Sequence, residues 1–146
     1  MRDFSDAAME ARLNAFSRKQ GFNAWFGMEC VAAGKGQTEL LLPVRPELTQ
    51  HHGFVHGGCV SALADMACAW AGSTARGEDV VTSNFTIHFL APAVGTHLRA
   101  HAKTVRAGRT TVTVEFTVNA EAEGKEPKLC ATGMAGIAVL GKSEAA

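Results

Sequence analysis

The stretch from Gln50 to Ala71 reads QHHGFVHGGCVSALADMACAWA, a turn rich in glycine and histidine followed by an almost uncharged run with helical spacing. Between Gly53 and Ala75 the only carboxylate is Asp65, and this segment contains no lysine or arginine. Burying a carboxylate in an apolar helix is costly unless the group is paired or put to use. Asp65 is therefore expected to be either a functional acid or a structural acid satisfied by the hydroxyl of Ser61 or Ser83.

The sequence before this stretch predicts a helix and two strands. The helix is expected from Asp6 to Lys19, with Ser5 as its N-cap and Gly21 at the position that ends it. Residues 22–26 are interpreted as a hydrophobic link. The long apolar helix then begins near His56 or Gly57.

Period-two alternation of apolar and polar residues predicts most of the strands. The first strand after the long helix alternates Val81, Ser83, Phe85, Ile87 and Phe89 with Thr82, Asn84, Thr86 and His88. The expected strands cover residues 28–33, 37–44, 81–89, 96–105, 111–118 and 129–140. Those after the long helix are expected to form an antiparallel meander of three or four strands. The fold class is therefore α+β, with an antiparallel sheet wrapped around one long central helix. Residues 1–146 form one domain, with residues 1–20 as an N-terminal helix and residues 141–146 as a frayed tail.

The composition limits which partners the protein is expected to bind and in which cellular compartment it is expected to lie. A formal net charge of zero provides no basic field for nucleic acid or an anionic membrane. No apolar run approaches the roughly 20 residues that span a bilayer, and the N-terminus does not resemble a signal peptide. No two of the four cysteines form a Cys-x-x-Cys pair, and this wide spacing argues against both disulfides and a zinc site. We expect a reduced, soluble, cytoplasmic protein.

The spacing between the turn and Asp65 has a geometric consequence. Gly57 and Gly58 lie at a predicted helix N-terminus, where free N–H groups and the helix dipole favour a developing negative charge. Asp65 lies eight residues farther on, which is ~12 Å along a helix axis. Both groups can act on one bond only if they come from different subunits, with two such helices antiparallel about a two-fold axis.

The residues from Gln50 to Gly58, followed by Leu63-Ala64-Asp65, resemble the signature of hotdog-fold acyl-CoA thioesterases in the 4-hydroxybenzoyl-CoA thioesterase superfamily. The similarity points to the branch that contains the phenylacetate-pathway thioesterase and its mammalian acyl-CoA relatives. The predicted order of elements matches from about residue 10 to residue 140. The resemblance implies a hotdog fold and hydrolysis of an acyl-CoA thioester, with an aromatic or medium-chain acyl group, to a free acid and CoA.

The resemblance also implies four catalytic roles. Asp65 matches the acid that acts as general base or nucleophile, and Gly57 matches the backbone oxyanion donor. Ser83 matches a hydroxyl that orients the acid or its water. Gln50 matches a position that is usually Asn in this branch and Gln in the 4-hydroxybenzoyl-CoA branch, where the amide holds water or the carbonyl.

Substrate contacts, assembly and cofactors are implied in the same way. The expected substrate and CoA contacts are His56, Gly58, Asn84, Leu90, Ala91, Pro92, Arg106, Gly108, Arg109 and Thr110. Arg106 and Arg109 would hold the CoA phosphates. Phe54 or Trp70, if either lines the acyl pocket, would favour an aromatic or medium-chain acyl group. The resemblance further implies a homodimer with shared active sites, assembled into a homotetramer. No cofactor is expected, because coenzyme A is part of the substrate.

Other interpretations of these residues stay open. His51, His52 and His56 are three potential metal ligands, but they share one short loop with no cysteine or carboxylate at ligand spacing. Arg106 and Arg109 are equally well explained as solvated charges in a turn. A non-catalytic acyl-CoA-binding or sensing module is the alternative function, although binding alone does not require a buried acid. A hotdog dehydratase or hydratase would need a histidine and an acid in a differently spaced motif.

Overall fold

The computed structural model describes residues 2–142, which form three α-helices and one six-stranded antiparallel sheet. The helices are α1 (Ala7–Ser17), α2 (Gly21–Phe26) and α3 (Gly57–Arg76). The strands are β1 (Glu29–Gly34), β2 (Gln37–Pro43), β3 (Asp79–Phe89), β4 (His97–Ala107), β5 (Thr111–Glu121) and β6 (Lys128–Gly141). The predicted frayed tail overlaps β6 at Gly141, and its residues 143–146 lie outside the described part of the chain.

The strands lie side by side in the order β1-β2-β4-β5-β6-β3, and every neighbouring pair is antiparallel. The predicted meander is therefore confirmed for β4, β5 and β6, whereas β3 pairs with β6 instead of with β4. One sheet edge is β1, against which α1 packs. The other edge is β3, and no strand within residues 2–142 covers its outer side.

Helix α3 packs against the sheet and contacts all six strands, as the apolar pattern of its sequence predicts. Its small residues let the sheet approach closely. At Gly72 an added Cβ would lie 2.9 Å from Cγ2 of Ile137, so only glycine fits without a shift. The buried side of α3 consists of Val60, Leu63, Ala64, Ala67, Cys68, Trp70, Ala71 and Gly72.

The N-terminal prediction is wrong in several details. The N-cap of α1 is Asp6, whose carboxylate accepts hydrogen bonds from the N–H groups of residues 8 and 9, while Ser5 bonds to the side chain of Glu10. Helix α1 ends at Ser17 rather than Lys19, and Gly21, predicted to end it, instead starts α2, which contains the expected link over residues 22–26. Gly27, at φ 81°, is the left-handed residue that ends the helical region. Burial of Phe26 in the core stabilises this second helix, a tertiary contact that local sequence does not reveal.

The predicted alternation along β3 is also wrong in its first half. The register with β6 slips between Thr82 and Asn84, which makes Ser83 the extra residue of a bulge. Phe85 faces the core after the bulge, but Val80 faces it before the bulge, so the parity changes. Val81 is accordingly 51% exposed rather than buried.

None of the helices within residues 2–142 combines the length and apolar character needed to cross a membrane.

A charged network ties the N-terminus to the outer face of the sheet. Glu39 of β2, only 2% exposed, accepts hydrogen bonds from Arg2 at 2.9 and 3.0 Å and from Arg99 at 2.8 Å. Arg99 also pairs with Glu121 at 2.6 Å. Burial by itself raises the pKa of Glu39, but the hydrogen bonds and charges of Arg2 and Arg99 outweigh it and lower the net pKa.

We expect Glu39→Gln to reduce the free energy of unfolding by about 1–3 kcal/mol at pH 7, because it removes charge-assisted bonds from a buried network. A carboxyl whose pKa is lowered by folding stabilises the protein above its unfolded pKa, about 4.3, and loses this contribution as the pH falls through the folded value. The difference between the two proteins should therefore be constant above about pH 5 and shrink in acid. Urea denaturation across this pH range measures it.

Glu47→Gln is the matched control, because its exposed pair with Arg45 at 3.6 Å contributes little. A difference between wild type and Glu39→Gln that stays the same down to low pH would contradict the proposed role of the ionised Glu39.

Candidate active site

The first turn of α3 presents one free backbone donor. His56 is the N-cap, and its Nδ1 accepts a hydrogen bond from the N–H of Gly58 at 2.8 Å. The N–H of Gly57 has no acceptor among residues 2–142. Since His56 accepts from Gly58, the N–H of Gly57 is the unpaired donor at this helix start, where the helix dipole adds to its attraction for negative charge.

A cavity of about 590 Å³ opens beside this donor. Its walls are mostly apolar, and include Phe54, Phe89 and the segment 90–92, while Gln50 adds a side-chain amide at the rim. The ring of Phe89 lies 3.4 Å from the Cβ position of Gly57, so it forms the wall next to the donor. A cavity of this size, with few polar groups, suits an apolar group attached to one reactive polar bond.

The predicted binding residues Leu90, Ala91 and Pro92 therefore line the same cavity as Gly57, as does Gln50. Phe54 lines the cavity, but Trp70 does not, since it is buried in the core with 7% exposure.

Asp65 lies two turns farther along α3 and is half-buried. The hydroxyl of Thr82 donates a hydrogen bond to its Oδ1 at 2.7 Å. Among residues 2–142 no lysine or arginine forms an ion pair with this carboxylate. Neither of the hydroxyls suggested by the sequence, those of Ser61 and Ser83, donates to it.

Ser83 points elsewhere. Its hydroxyl donates to the carbonyl oxygen of Gly136 at 3.0 Å, on the neighbouring strand β6. Asn84 is exposed and its amide lies 3.5 Å from the Ser83 oxygen, beside Gly136 and far along β3 from Phe89. The structure thus brings Thr82, a residue that the sequence reasoning missed, to Asp65. The sequence pattern alone does not point to Thr82, because the bulge at Ser83 reverses which side chains of β3 face α3.

The remaining predicted contacts lie at the other end of the molecule. The guanidinium of Arg76, at the C-terminal end of α3, donates to the carbonyl oxygen of Gly108 at 3.1 Å. The turn that carries Arg106, Arg109 and Thr110 is therefore close to the end of α3 opposite Gly57, roughly 30 Å away along the helix. Within one chain these arginines cannot reach a ligand in the cavity.

Among the described residues no group of three or more His, Cys, Asp or Glu side chains is arranged to hold a metal ion. His51 and His52 contact each other in the loop before α3, with ring centroids 4.8 Å apart. His52 adopts φ 63°, which is unusual for a residue other than glycine.

The part of the chain that holds Gly57 and Asp65 also matches a family model. The family model described as the thioesterase superfamily matches residues 52–126, from the histidine-rich turn through β5. The chain belongs to the thioesterase superfamily. A protein of Halobacterium salinarum, provisionally named an esterase, is 31% identical over 147 residues, covering 94% of this chain and 95% of the relative.

Solved structures of this superfamily have the same architecture. A thioesterase family protein from Silicibacter pomeroyi has a TM-score of 0.85 and 32% identity, covering 91% of this chain and 98% of its own. A thioesterase from Haemophilus influenzae has a TM-score of 0.82 and 25% identity, with 97% of both chains covered. The α+β hotdog fold is confirmed, and membership of the thioesterase superfamily indicates a hydrolase.

Proposed function

We propose that this protein hydrolyses acyl-CoA thioesters to a free carboxylic acid and CoA. The observation that carries the proposal is the N–H of Gly57, which has no acceptor among residues 2–142 and belongs to a residue that lines an apolar cavity at a helix N-terminus. A thioester carbonyl placed there would be polarised, and the negative charge that develops on its oxygen would be stabilised. Gln50, at the rim, would hold the attacking water or the same carbonyl.

Asp65 supplies the second half of the chemistry. As general base it would take a proton from water while the water oxygen bonds to the thioester carbon. The tetrahedral oxyanion, held by Gly57, would then collapse with cleavage of the carbon–sulfur bond, and the CoA thiolate would leave and become protonated. As nucleophile, the carboxylate would itself attack the carbon and form a mixed anhydride, which water would hydrolyse.

Single-turnover hydrolysis in water labelled with ¹⁸O separates the two routes. Direct attack by water places one ¹⁸O atom in the first acid released. Attack by Asp65, followed by attack of water on the Asp65 carbonyl carbon of the anhydride, places an unlabelled carboxylate oxygen in that acid and the ¹⁸O in the enzyme, so ¹⁸O in the enzyme identifies the nucleophilic route.

The active sites are proposed to be shared between two subunits. Asp65 is ~12 Å from Gly57 of its own chain along α3, too far for one bond. The half-buried stripe of α3 that contains Asp65 has small or apolar neighbours, Ser61, Ala62, Met66 and Ala69, and the edge of β3 is free within residues 2–142. Both features suit an antiparallel α3–α3 contact beside a β3–β3 pairing, which would place Asp65 of one chain near Gly57 of the other.

The same arrangement would bring the arginine turn to the substrate. An antiparallel partner helix extends its C-terminal end beyond Gly57, and the turn at Gly108 is held to that end by Arg76. Arg106 and Arg109 of the partner would then meet the CoA phosphates outside the cavity. Phe54 and Phe89 in the cavity wall favour an aromatic or medium-chain acyl group. Two such dimers are proposed to associate as a homotetramer.

Thiol release from a panel of acyl-CoAs tests the activity. We expect hydrolysis of aromatic or medium-chain acyl-CoAs, with one CoA and one acid formed for each thioester consumed. An acyl-CoA that binds in calorimetry while no member of the panel is cleaved would support the acyl-CoA-binding module instead.

A mixing experiment tests the shared site. Chains with Asp65→Asn and chains with Gly57→Pro, which removes the N–H, are each expected to be almost inactive alone. In randomly mixed dimers half of the molecules are hybrids, and each hybrid has one intact site and one doubly defective site. Activity should therefore return to about a quarter of the wild-type value. An active monomer in solution, or a mixture no more active than its parents, would contradict the shared site.

A further inference from the structure

Strand β3 carries two adjacent hydroxyls, Thr82 and Ser83, and the bulge decides which of them faces α3. Strict alternation counted back from Phe85, which packs against the core, would place Ser83 on the side that faces α3. The extra residue in the bulge reverses this parity, so that Thr82 faces the helix. A one-residue change of register thus exchanges a serine for a threonine beside the acid.

The hydrogen bonds of the two hydroxyls differ accordingly. Thr82 donates to Oδ1 of Asp65 at 2.7 Å, whereas Ser83 donates to the backbone oxygen of Gly136 at 3.0 Å. Each hydroxyl has one proton to donate. The proton of Ser83 is used in the bond to Gly136, so Ser83 cannot donate it to Asp65 at the same time. Within residues 2–142, Thr82 provides the one side-chain donor to Asp65, and Oδ2 of the carboxylate accepts no hydrogen bond.

We propose that Thr82 is the positioning residue of this active site and holds Asp65 in its reactive orientation. The inference rests on the proposed catalytic role of Asp65. A hydrogen bond to an ionised carboxylate is short and strong, and one bond from a side chain on a β-strand restricts rotation of the carboxylate on α3. Oδ2 is then left to face the attacking water or the thioester carbon, so less freedom is lost when the reaction geometry forms.

Thr82→Val tests the role of the hydroxyl, because valine keeps the branched shape and lacks the donor. We expect kcat to fall ~10- to 100-fold, the effect of losing a charge-assisted hydrogen bond, while KM stays within about twofold because binding of CoA is untouched. Thr82→Ser should restore kcat to within about threefold of wild type. The matched control is Thr86→Val, the same replacement at an exposed position on β3, which should leave both constants unchanged.

The hydrogen bond between Thr82 and Asp65 can be tested independently of activity. The measured quantity is the chemical shift of the Asp65 Cγ resonance in ¹³C-labelled protein at pH 7. It should move in Thr82→Val and stay in place in Thr86→Val and Thr82→Ser. If Thr82→Val does not fold, Thr82→Ala compared with Thr82→Ser repeats the test with the hydroxyl as the difference.

The results separate this inference from the function on which it rests. If wild type is active and Thr82→Val is as active as Thr86→Val, or if Ser83→Ala lowers kcat while Thr82→Val does not, the positioning role is overturned and the proposed function stands. If wild type cleaves no acyl-CoA, the proposed function fails and the inference fails with it.

Discussion

Replacing Asp65 with asparagine is expected to lower kcat for acyl-CoA hydrolysis about a thousandfold, with KM changed by less than about threefold. The amide oxygen of asparagine can still accept the hydrogen bond from Thr82, so the side chain should keep its place. It cannot take a proton from water at neutral pH and is a poor nucleophile. Initial rates of thiol release over a range of substrate concentrations give both constants.

Glu123→Gln is a suitable control, because it makes the same change of carboxylate to amide in an exposed turn between β5 and β6. It should behave as wild type. Near-wild-type turnover in Asp65→Asn would show that the mechanism is wrong, even if the protein still hydrolyses thioesters.

Replacing Gly57 with proline is expected to lower kcat by ~10²- to 10³-fold, the usual effect of removing one oxyanion donor. Proline has no N–H, and it is well tolerated at the first position of a helix, which is the position of Gly57. His56 has ψ 136°, the extended conformation preferred before proline. The change should therefore remove the donor while the fold is kept, which a thermal unfolding curve can verify.

Gly57→Ala separates loss of the donor from loss of space. Alanine keeps the N–H, and its Cβ would lie 3.4 Å from the ring of Phe89, an ordinary contact. We expect Gly57→Ala to lose less than about tenfold in kcat. If alanine and proline reduce kcat equally, steric crowding of the cavity explains the loss, and Gly57 is not the oxyanion donor.

Several features of this protein are encoded locally and were predictable without the structure. The apolar run after the histidine-rich turn predicts α3 and its start at His56 or Gly57, since glycine and a capping side chain favour a helix N-terminus. The lone acid in that run identifies Asp65, because an unpaired charge in an apolar segment needs a partner or a use. Alternation predicts the strands, because one face of each strand meets the helix.

The features that the sequence did not reveal depend on which segments meet in space. Local pattern cannot show that β3 leaves β4 and pairs with β6, which leaves the β3 edge of the sheet uncovered by any strand of residues 2–142. Nor can it show that the turn of Arg106 and Arg109 lies at the opposite end of α3 from Gly57, which makes a partner chain necessary for the proposed CoA contacts. Both follow from the order of strands in the sheet.

The sequence alone determined that Asp65 and the free N–H of Gly57 lie on one helix and ~12 Å apart, because helical rise per residue is constant. Only the tertiary structure decided which hydroxyl serves the acid. The bulge at Ser83 is a property of the pairing between β3 and β6, and it turns Thr82 rather than Ser83 toward α3. Strand register depends on long-range contacts, so the choice between two adjacent residues was not available from their order in the chain.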